Sequence, residues 1–304
     1  MNAAEHLLGE DALARHGART ALVCGERALT YAELALETTR AASALRSLGV
    51  RPGERVLLLM RDTPAFAAAW LGAVRAGAVA IGLNSKLAEA DYRHIVMDSG
   101  ARLLIAEEGL QQVLGPLAGE LAAARRLVSL RDWLALAATA APQSSAHDAQ
   151  PEDPAFWLYS SGTTGRPKGV VHTHRSELPA GQAQRDVVGL GPGDRIFSTS
   201  KLFFAYALEN GLLGPLSLGA TAILHPDWVD VEQVEALVAR HQPTALFSVP
   251  TFYRRLLALP IERLAPFRAV RHYVSAGERL PASLFDAWRA ATGHEILTIY
   301  GMSE

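Results

Sequence analysis

The sequence predicts an α/β protein built on mostly parallel sheets, and two observations carry that expectation. Short apolar runs rich in Val, Ile and Leu alternate with Ala/Leu-rich stretches of helical spacing through most of the chain. Strands alternating with helices favour parallel pairing, because each crossover needs a covering element. The chain also has enough material for such a core: 304 residues, 49% of them hydrophobic, suffice for about two domains at ~150 residues each.

The elements follow in order. Residues 55–60 form a compact apolar run. Residues 64–76 (PAFAAAWLGAVRA) read as a helix opened by Pro64, which suits a first helical turn. Residues 78–83 read as a strand closed by Asn84, and 102–106 and 126–130 continue the alternation. Residues 137–154 are rich in Ala, Pro, Ser and Gln without apolar period, which marks a surface linker. The expected division is therefore 1–150 and 151–304. Beyond it, strands are expected at 156–160, 195–199, 220–224, 245–249, 270–275 and 296–300, with helices such as 231–241 and 282–291 between them.

Composition excludes several classes. The formal charge of -2 argues against a nucleic-acid partner or an anionic membrane surface. The single cysteine, Cys24, has no intramolecular disulfide partner, which allows a reducing compartment. Residues 1–15 lack the pattern of a secretory signal. Apolar runs are broken by Arg, Gly or Asp well short of the ~18 residues a membrane span needs. A cytoplasmic protein is the expectation. Nothing spaced like a transition-metal site occurs.

Residues 159–169, YSSGTTGRPKG, carry the most chemistry. They follow an expected strand and gather four Ser/Thr hydroxyls, three glycines and one lysine. Glycines let backbone N–H groups close around phosphate oxygens, hydroxyls add neutral donors, and Lys168 adds a mobile positive charge. Such a loop suits a polyphosphate. It is not a Walker A loop, since Gly165 is followed by Arg-Pro-Lys. A Ser/Thr/Gly cluster is ordinarily only a solvated turn, but this string is long and specific. It resembles the signature of the adenylate-forming superfamily of acyl-CoA synthetases, peptide-synthetase adenylation domains and luciferases. The resemblance implies that Ser161, Gly162, Thr163, Thr164, Gly165 and Lys168 hold the β- and γ-phosphates of ATP, with Thr164 and Lys168 catalytic.

Four further segments resemble the same family in its order. LTYAEL (29–34) also reads plainly as a helix start capped by Thr30. LGAVRAGAVAIGL (71–83) reads as a helix-to-strand joint where Gly77 ends the helix. SAGERLP (275–281) is similar to the adenine-binding turn, which implies nucleotide contacts at Gly277 and Glu278. IYGMSE (299–304) is similar to the YG-x-T-E motif. That match implies that Tyr300 stacks on adenine, Ser303 bonds the α-phosphate where Thr is usual, and Glu304 serves catalysis by helping to hold Mg²⁺, a hard cation that prefers oxygen.

KLFFAYALEN (201–210) narrows the family. Phe203, Phe204 and Tyr206 stand beside the small Ala205 and Ala207. Aromatics can wall a flat pocket, although such clusters also serve as plain core. With FWLYSSG and VVHTH it resembles the benzoate-CoA ligase subgroup. That resemblance implies an aryl pocket lined by Phe204, Ala205, Tyr206, Ala276 and Gly301. His172 and His174, which could be mistaken for bases, are expected to be structural.

The resemblance implies the N-terminal region of an AMP-forming aryl-CoA ligase: two mostly parallel sheets flanked by helices, with ATP, Mg²⁺ and coenzyme A (as co-substrate) acting on a small aryl carboxylic acid. The family's ribose-binding segment, hinge and C-terminal domain are absent, so the chain is expected to be a fragment. Two alternatives stay open: an aryl-acid adenylation domain that loads a carrier protein, and a non-catalytic nucleotide-binding fragment.

Overall fold

The computed structural model describes residues 1–142, 145–161 and 165–303, with the Ser161 side chain excepted. Its strands are β1 (Thr20–Cys24), β2 (Arg27–Thr30), β3 (Arg55–Leu59), β4 (Val79–Gly82), β5 (Leu103–Ala106), β6 (Leu127–Ser129), β7 (Pro154–Ser161), β8 (Pro167–Thr173), β9 (Arg195–Ser198), β10 (Thr221–Leu224), β11 (Ala245–Ser248), β12 (His272–Ser275) and β13 (Ile296–Thr298). Among the described residues they form a six-stranded sheet, β6-β5-β3-β4-β7-β8, and a seven-stranded sheet, β13-β12-β11-β9-β10-β1-β2. Pairing is parallel from β6 to β7 in the first sheet and from β13 to β1 in the second. The β7–β8 hairpin is antiparallel. The expected α/β class and parallel sheets are therefore present. No helix among the described residues is long and apolar enough to cross a membrane.

Internal contacts divide the chain into two units. One comprises Met1–Ala18, Leu29–Leu178 and Ser303, and the other Arg19–Ala28 and Pro179–Met302. The sequence placed the division at 150. By contacts it falls after Leu178, because β7 joins the first sheet through the register Ala80↔Phe156 and Ile81↔Trp157. The β7–β8 hairpin, which carries the expected phosphate-binding segment, thus belongs to the first unit. Conversely, β1 joins the second sheet through Leu22↔Ala222.

Local signals in the first unit act as the sequence suggests. Thr30 Oγ1 accepts from Glu33 N (3.2 Å) and Glu33 Oε2 accepts from Thr30 N (2.7 Å), a capping box that starts helix Tyr31–Ser47. Such caps contribute ~1 kcal/mol. Helix Pro64–Arg75 starts with Pro64 and is buried almost all round, as a helix without a polar face must be. Gly72 allows helix Tyr31–Ser47 to approach it, since a Cβ there would lie 2.5 Å from Ala41 Cβ.

The expected surface linker at 137–154 is less free than its composition suggests. Helix Leu130–Thr139 runs into it. His147 N–H then donates to Arg75 O (2.9 Å), and Ala149 is 1% exposed. Composition gave no sign of this packing because its partners lie some seventy residues upstream. Gly77, with φ +80°, closes helix Pro64–Arg75, and a Cβ there would overlap the His147 ring.

The first core gathers Leu57, Leu59, Ile81, Tyr92 and Ile95. The second gathers Phe197, Leu246, Tyr253, Tyr273 and Trp288. Trp288 meets the rings of Tyr253 and Tyr273 edge-on at 4.9 Å each, the geometry aromatic quadrupoles favour.

Two glycines separate backbone strain from packing. Gly53 (φ +78°) has open space around its α-carbon, whereas Gly77 faces His147. Gly53→Ala is expected to cost ~1–2 kcal/mol from the left-handed backbone alone. Gly77→Ala is expected to cost distinctly more. Urea midpoints of the two variants measure the difference, and equal losses would show that the His147 segment yields freely.

Candidate functional site

One group of candidate residues lies on the β7–β8 hairpin. Its register pairs Tyr159 with Gly169, Ser160 with Lys168 and, as the last pair towards the tip, Ser161 with Pro167. Gly165 adopts φ +81°, which glycine alone enters at little cost. Lys168 stands exposed on β8 beside the tip. Gly162, Thr163 and Thr164, and the Ser161 side chain, lie outside the described residues, and so does Glu304.

Below the tip the hairpin is tied to helix Glu89–Ser99. The Tyr159 hydroxyl donates to Asp98 Oδ2 (2.6 Å). Burial, and then the Asp98 carboxylate, hold the Tyr159 pKa well above the ordinary phenol value. His94 Nε2 donates to Pro167 O (2.9 Å), which assigns the ring proton to that nitrogen. Neither His94 nor Asp98 was singled out from sequence, since no motif marks them.

His172 stacks on Phe156 with 4.5 Å between centroids and 4° between planes, and its Nε2 donates to Ser303 O (2.9 Å). His174 lies just beyond β8, is 1% exposed, and accepts the Ala3 N–H at Nδ1 (3.0 Å). Burial pushes both imidazoles below their ordinary value. Both rings thus serve packing and backbone hydrogen bonding, the structural part expected of them.

A separate group of candidate residues lies in the other unit, at the carboxyl ends of parallel strands. The register rows Phe247↔Ser198, Ser248↔Ser275 and Ser275↔Thr298 make β9, β11, β12 and β13 end nearly level. The segments that leave these ends carry the expected residues: helix Ala205–Leu208, residues 276–278 and residues 299–301. Open α/β sheets bind ligands at such carboxyl ends.

Tyr206 fixes this group. Its hydroxyl lies 3.1 Å from Ser248 O and 3.2 Å from Val274 O, and its ring is tilted against Phe247 at 6.3 Å. Burial pushes its pKa far above the ordinary value, so it remains a neutral donor. Asn210 Nδ2 donates back to Tyr206 O (2.8 Å). Ala205 is half-buried beside it, and Ala276 is buried. Phe204 is 42% exposed, while Phe203 is buried against Trp228 (5.9 Å). The cluster therefore divides between surface and core.

Gly277 has φ +87°, which explains glycine in this turn by backbone conformation. Glu278 Oε1 accepts from Thr251 N (2.9 Å) and Thr251 Oγ1 (2.5 Å), and these bonds hold its carboxyl below the usual range. It thus also ties the turn to the start of helix Pro250–Leu256, where a carboxylate suits the helix dipole. Tyr300 is 89% exposed, and Gly301 is exposed too.

Sequence reasoning missed the polar groups between these segments. Thr199 Oγ1 and Ser248 Oγ lie 2.6 Å apart. The fully buried Ser275 Oγ has no hydrogen-bond partner among the described residues. Lys201 is buried with its ammonium on the carbonyls of His225 (2.7 Å), Pro226 (3.1 Å) and Asp227 (3.2 Å).

Parallel sheets with polar and aromatic groups at the strand ends place the chain in the α/β class, whose open sheets offer ligand sites at those ends. The family model of the AMP-binding enzymes matches residues 9–304, and the chain belongs to that family. It is 44% identical over 316 residues to the 3-hydroxybenzoate–CoA/4-hydroxybenzoate–CoA ligase of Thauera aromatica, a match covering 100% of this chain and 60% of that protein. A benzoate CoA ligase structure from Burkholderia xenovorans LB400 superposes with TM-score 0.90 at 37% identity, covering 100% of this chain and 61% of that one. The anthranilate CoA ligase AuaEII, solved in complex with anthranoyl-AMP, superposes with TM-score 0.93 at 32% identity, with 100% and 60% coverage. The chain spans about three-fifths of the length of these relatives.

The depressed imidazoles set a pH dependence. Burial is the leading cause that holds His172, His174, His225, His241 and His272 below the ordinary value of 6.5. In the window below that value the unfolded chain binds protons that the folded chain does not. Stability is therefore full above about pH 7 and falls as the pH drops towards about 5. His174→Asn keeps an acceptor for Ala3 N–H but does not titrate. Urea midpoints across this window should show a shallower slope for the variant, and an unchanged slope would remove His174 from the set.

Proposed function

We propose that this chain is the nucleotide- and acid-binding part of an AMP-forming aryl-CoA ligase. In the intact protein an aromatic carboxylic acid of the benzoate class is activated with ATP to an acyl-adenylate, and the acyl group then passes to the thiol of coenzyme A. The observation that carries this reading is the segment 201–210. It sets Ala205 and the pinned Tyr206 at the strand ends next to the Ala276–Glu278 turn. The likeness to hydroxybenzoate– and benzoate–CoA ligases supports it. The cytoplasm, where coenzyme A and ATP are at hand, is the compartment that fits.

The chemistry asks little of side-chain acids or bases. The substrate carboxylate is already a nucleophile at neutral pH, and its oxygen attacks the α-phosphorus as pyrophosphate leaves. The protein has to position two anions and offset their repulsion. In this reading Ser161, Gly162, Thr163, Thr164, Gly165 and Lys168 take the β- and γ-phosphates. Gly277, Glu278, Tyr300 and Ser303 take the rest of the nucleotide, and Phe204, Ala205, Tyr206, Ala276 and Gly301 take the ring.

Among the described residues no group of three or more His, Cys, Asp or Glu is placed to hold a metal ion. A hard cation such as Mg²⁺ therefore fits best as the partner of the ATP phosphates, with Glu304 as its protein carboxylate. When bound, it would neutralise phosphate charge.

ATP–pyrophosphate exchange by the complete gene product across a panel of acids tests the reading. Benzoate and its hydroxy or amino derivatives are expected to support exchange far better than acetate or palmitate. Strong exchange with palmitate and none with the aryl acids would overturn it. Ala205→Leu should cost ~1–3 kcal/mol in aryl turnover by overfilling the pocket.

Lys168→Ala tests the phosphate half. It is expected to slow exchange by an amount equivalent to ~3 kcal/mol while leaving acid binding nearly unchanged. Exchange at the unaltered rate would reduce the hairpin tip to a surface turn.

A further inference from the structure

Helix Glu89–Ser99 grips both strands of the β7–β8 hairpin from one face. His94 and Asp98 are four residues apart, so their side chains stand one above the other. Asp98 Oδ2 accepts from the hydroxyl of Tyr159 on β7 (2.6 Å), and His94 Nε2 donates to the carbonyl of Pro167, the first residue of β8 (2.9 Å). Between these two points the chain makes the turn with the YSSGTTGRPKG signature.

The helix is itself fixed. The Arg55 guanidinium donates to Ser99 O and to Gly100 O (3.2 Å), and it lies over the Trp157 ring at 5.8 Å. Gly169, opposite Tyr159 in the register, leaves space for the tyrosine ring. A Cβ there would stand 3.3 Å from Tyr159 Cζ and 3.2 Å from Trp157 Cε3. A larger residue would press the Tyr159 ring away from its line to Asp98. One helix, two anchors and one glycine thus converge on the base of the hairpin.

We propose that His94 and Asp98 are positioning residues for ATP, holding both strands of the β7–β8 hairpin on helix Glu89–Ser99 so that Lys168 is set before the polyphosphate arrives. The inference rests on the ATP reading above. Its physical basis is preorganisation: a group whose supporting strands are already fixed loses less freedom when a ligand binds.

The test measures Mg·ATP affinity by calorimetry, together with KM for ATP and for the aryl acid in pyrophosphate exchange, on the complete gene product. Asp98→Ala and His94→Leu are each expected to weaken Mg·ATP binding and raise KM for ATP about fivefold, the worth of one net hydrogen bond. The constants for the acid should stay within about twofold, well inside that same scale. Asp98→Asn keeps an acceptor for Tyr159, and His94→Gln keeps a donor for Pro167, so both should restore ATP affinity. Amide exchange across 159–169 should quicken in the first pair and return to normal in the second. If the unaltered protein binds no Mg·ATP, the ATP reading itself fails, and this inference with it. If it binds Mg·ATP and both disruptive variants bind equally well, the inference is overturned while the reading stands. Equal loss of ATP and acid binding together with a lower thermal midpoint would likewise overturn it, leaving the clasp a purely structural one.

Discussion

The Tyr206 hydroxyl, set between the carbonyl oxygens of Ser248 and Val274, determines how the segment at these strand ends is built. A partly buried tyrosine whose hydroxyl is shielded from water gains by placing it on a protein acceptor. Val274 O also receives the Tyr253 hydroxyl at 3.0 Å, so two rings from different helices are referred to one carbonyl of β12. That common reference fixes helix Ala205–Leu208 over the strand ends, turns the Tyr206 ring onto Phe247, and leaves Ala205 as the small residue beside it. The wide π-type turn Glu209–Leu213 continues the same segment, with Asn210 returning a hydrogen bond to Tyr206 O. π turns of this kind are frequent where a helix is bent to serve a site.

The other unit solves a different problem. Its parallel sheet ends in an antiparallel hairpin, with β8 as the edge strand. Pro167 lacks an N–H and starts that edge strand, a place where a missing donor does little harm. Lys168 next to it puts a charge on the edge, which also discourages further strand pairing. Pro167 and Lys168, two residues of the proposed phosphate-binding segment, are thus also residues that guard an exposed edge.

What could be read in the sequence is what local chemistry decides. Thr30 caps its helix, Gly77 closes the next one in the left-handed conformation, and Gly277 turns with positive φ. Each of these depends on neighbours within a few residues. The division into units was not legible, because whether β1 or β7 joins one sheet or the other depends on partners far along the chain. The packing of His147 against Gly77 escaped for the same reason. In the site, the motif strings named the residues on the loops, whereas their holders did not declare themselves. Asp98, His94, Thr251 and Ser248 have ordinary sequence surroundings and acquire their parts only through tertiary hydrogen bonds.

The placement of charge bears on how an acid would be chosen. Lys201 sits within the very segment that resembles an aryl pocket, and a cation there would be the obvious partner for a carboxylate. Its ammonium is instead buried on three carbonyl oxygens. Moving it to a substrate would leave those carbonyls without their donor, at the desolvation cost that makes such exchanges rare. Of the hydroxyls nearest the strand ends, Thr199, Tyr206 and Ser248 are already engaged with protein oxygens, and the buried Ser275 Oγ is neutral. Under the reading proposed above, an acid held there would be recognised mainly by the fit of its ring among Tyr206, Ala205 and Ala276. Fit of this kind distinguishes a ring from an alkyl chain well but separates neighbouring substituents by only ~1–3 kcal/mol. Under the reading proposed above, residues so placed would favour a class of flat acids over a single member of it, and finer choice would have to come from hydrogen bonds to the substituents themselves.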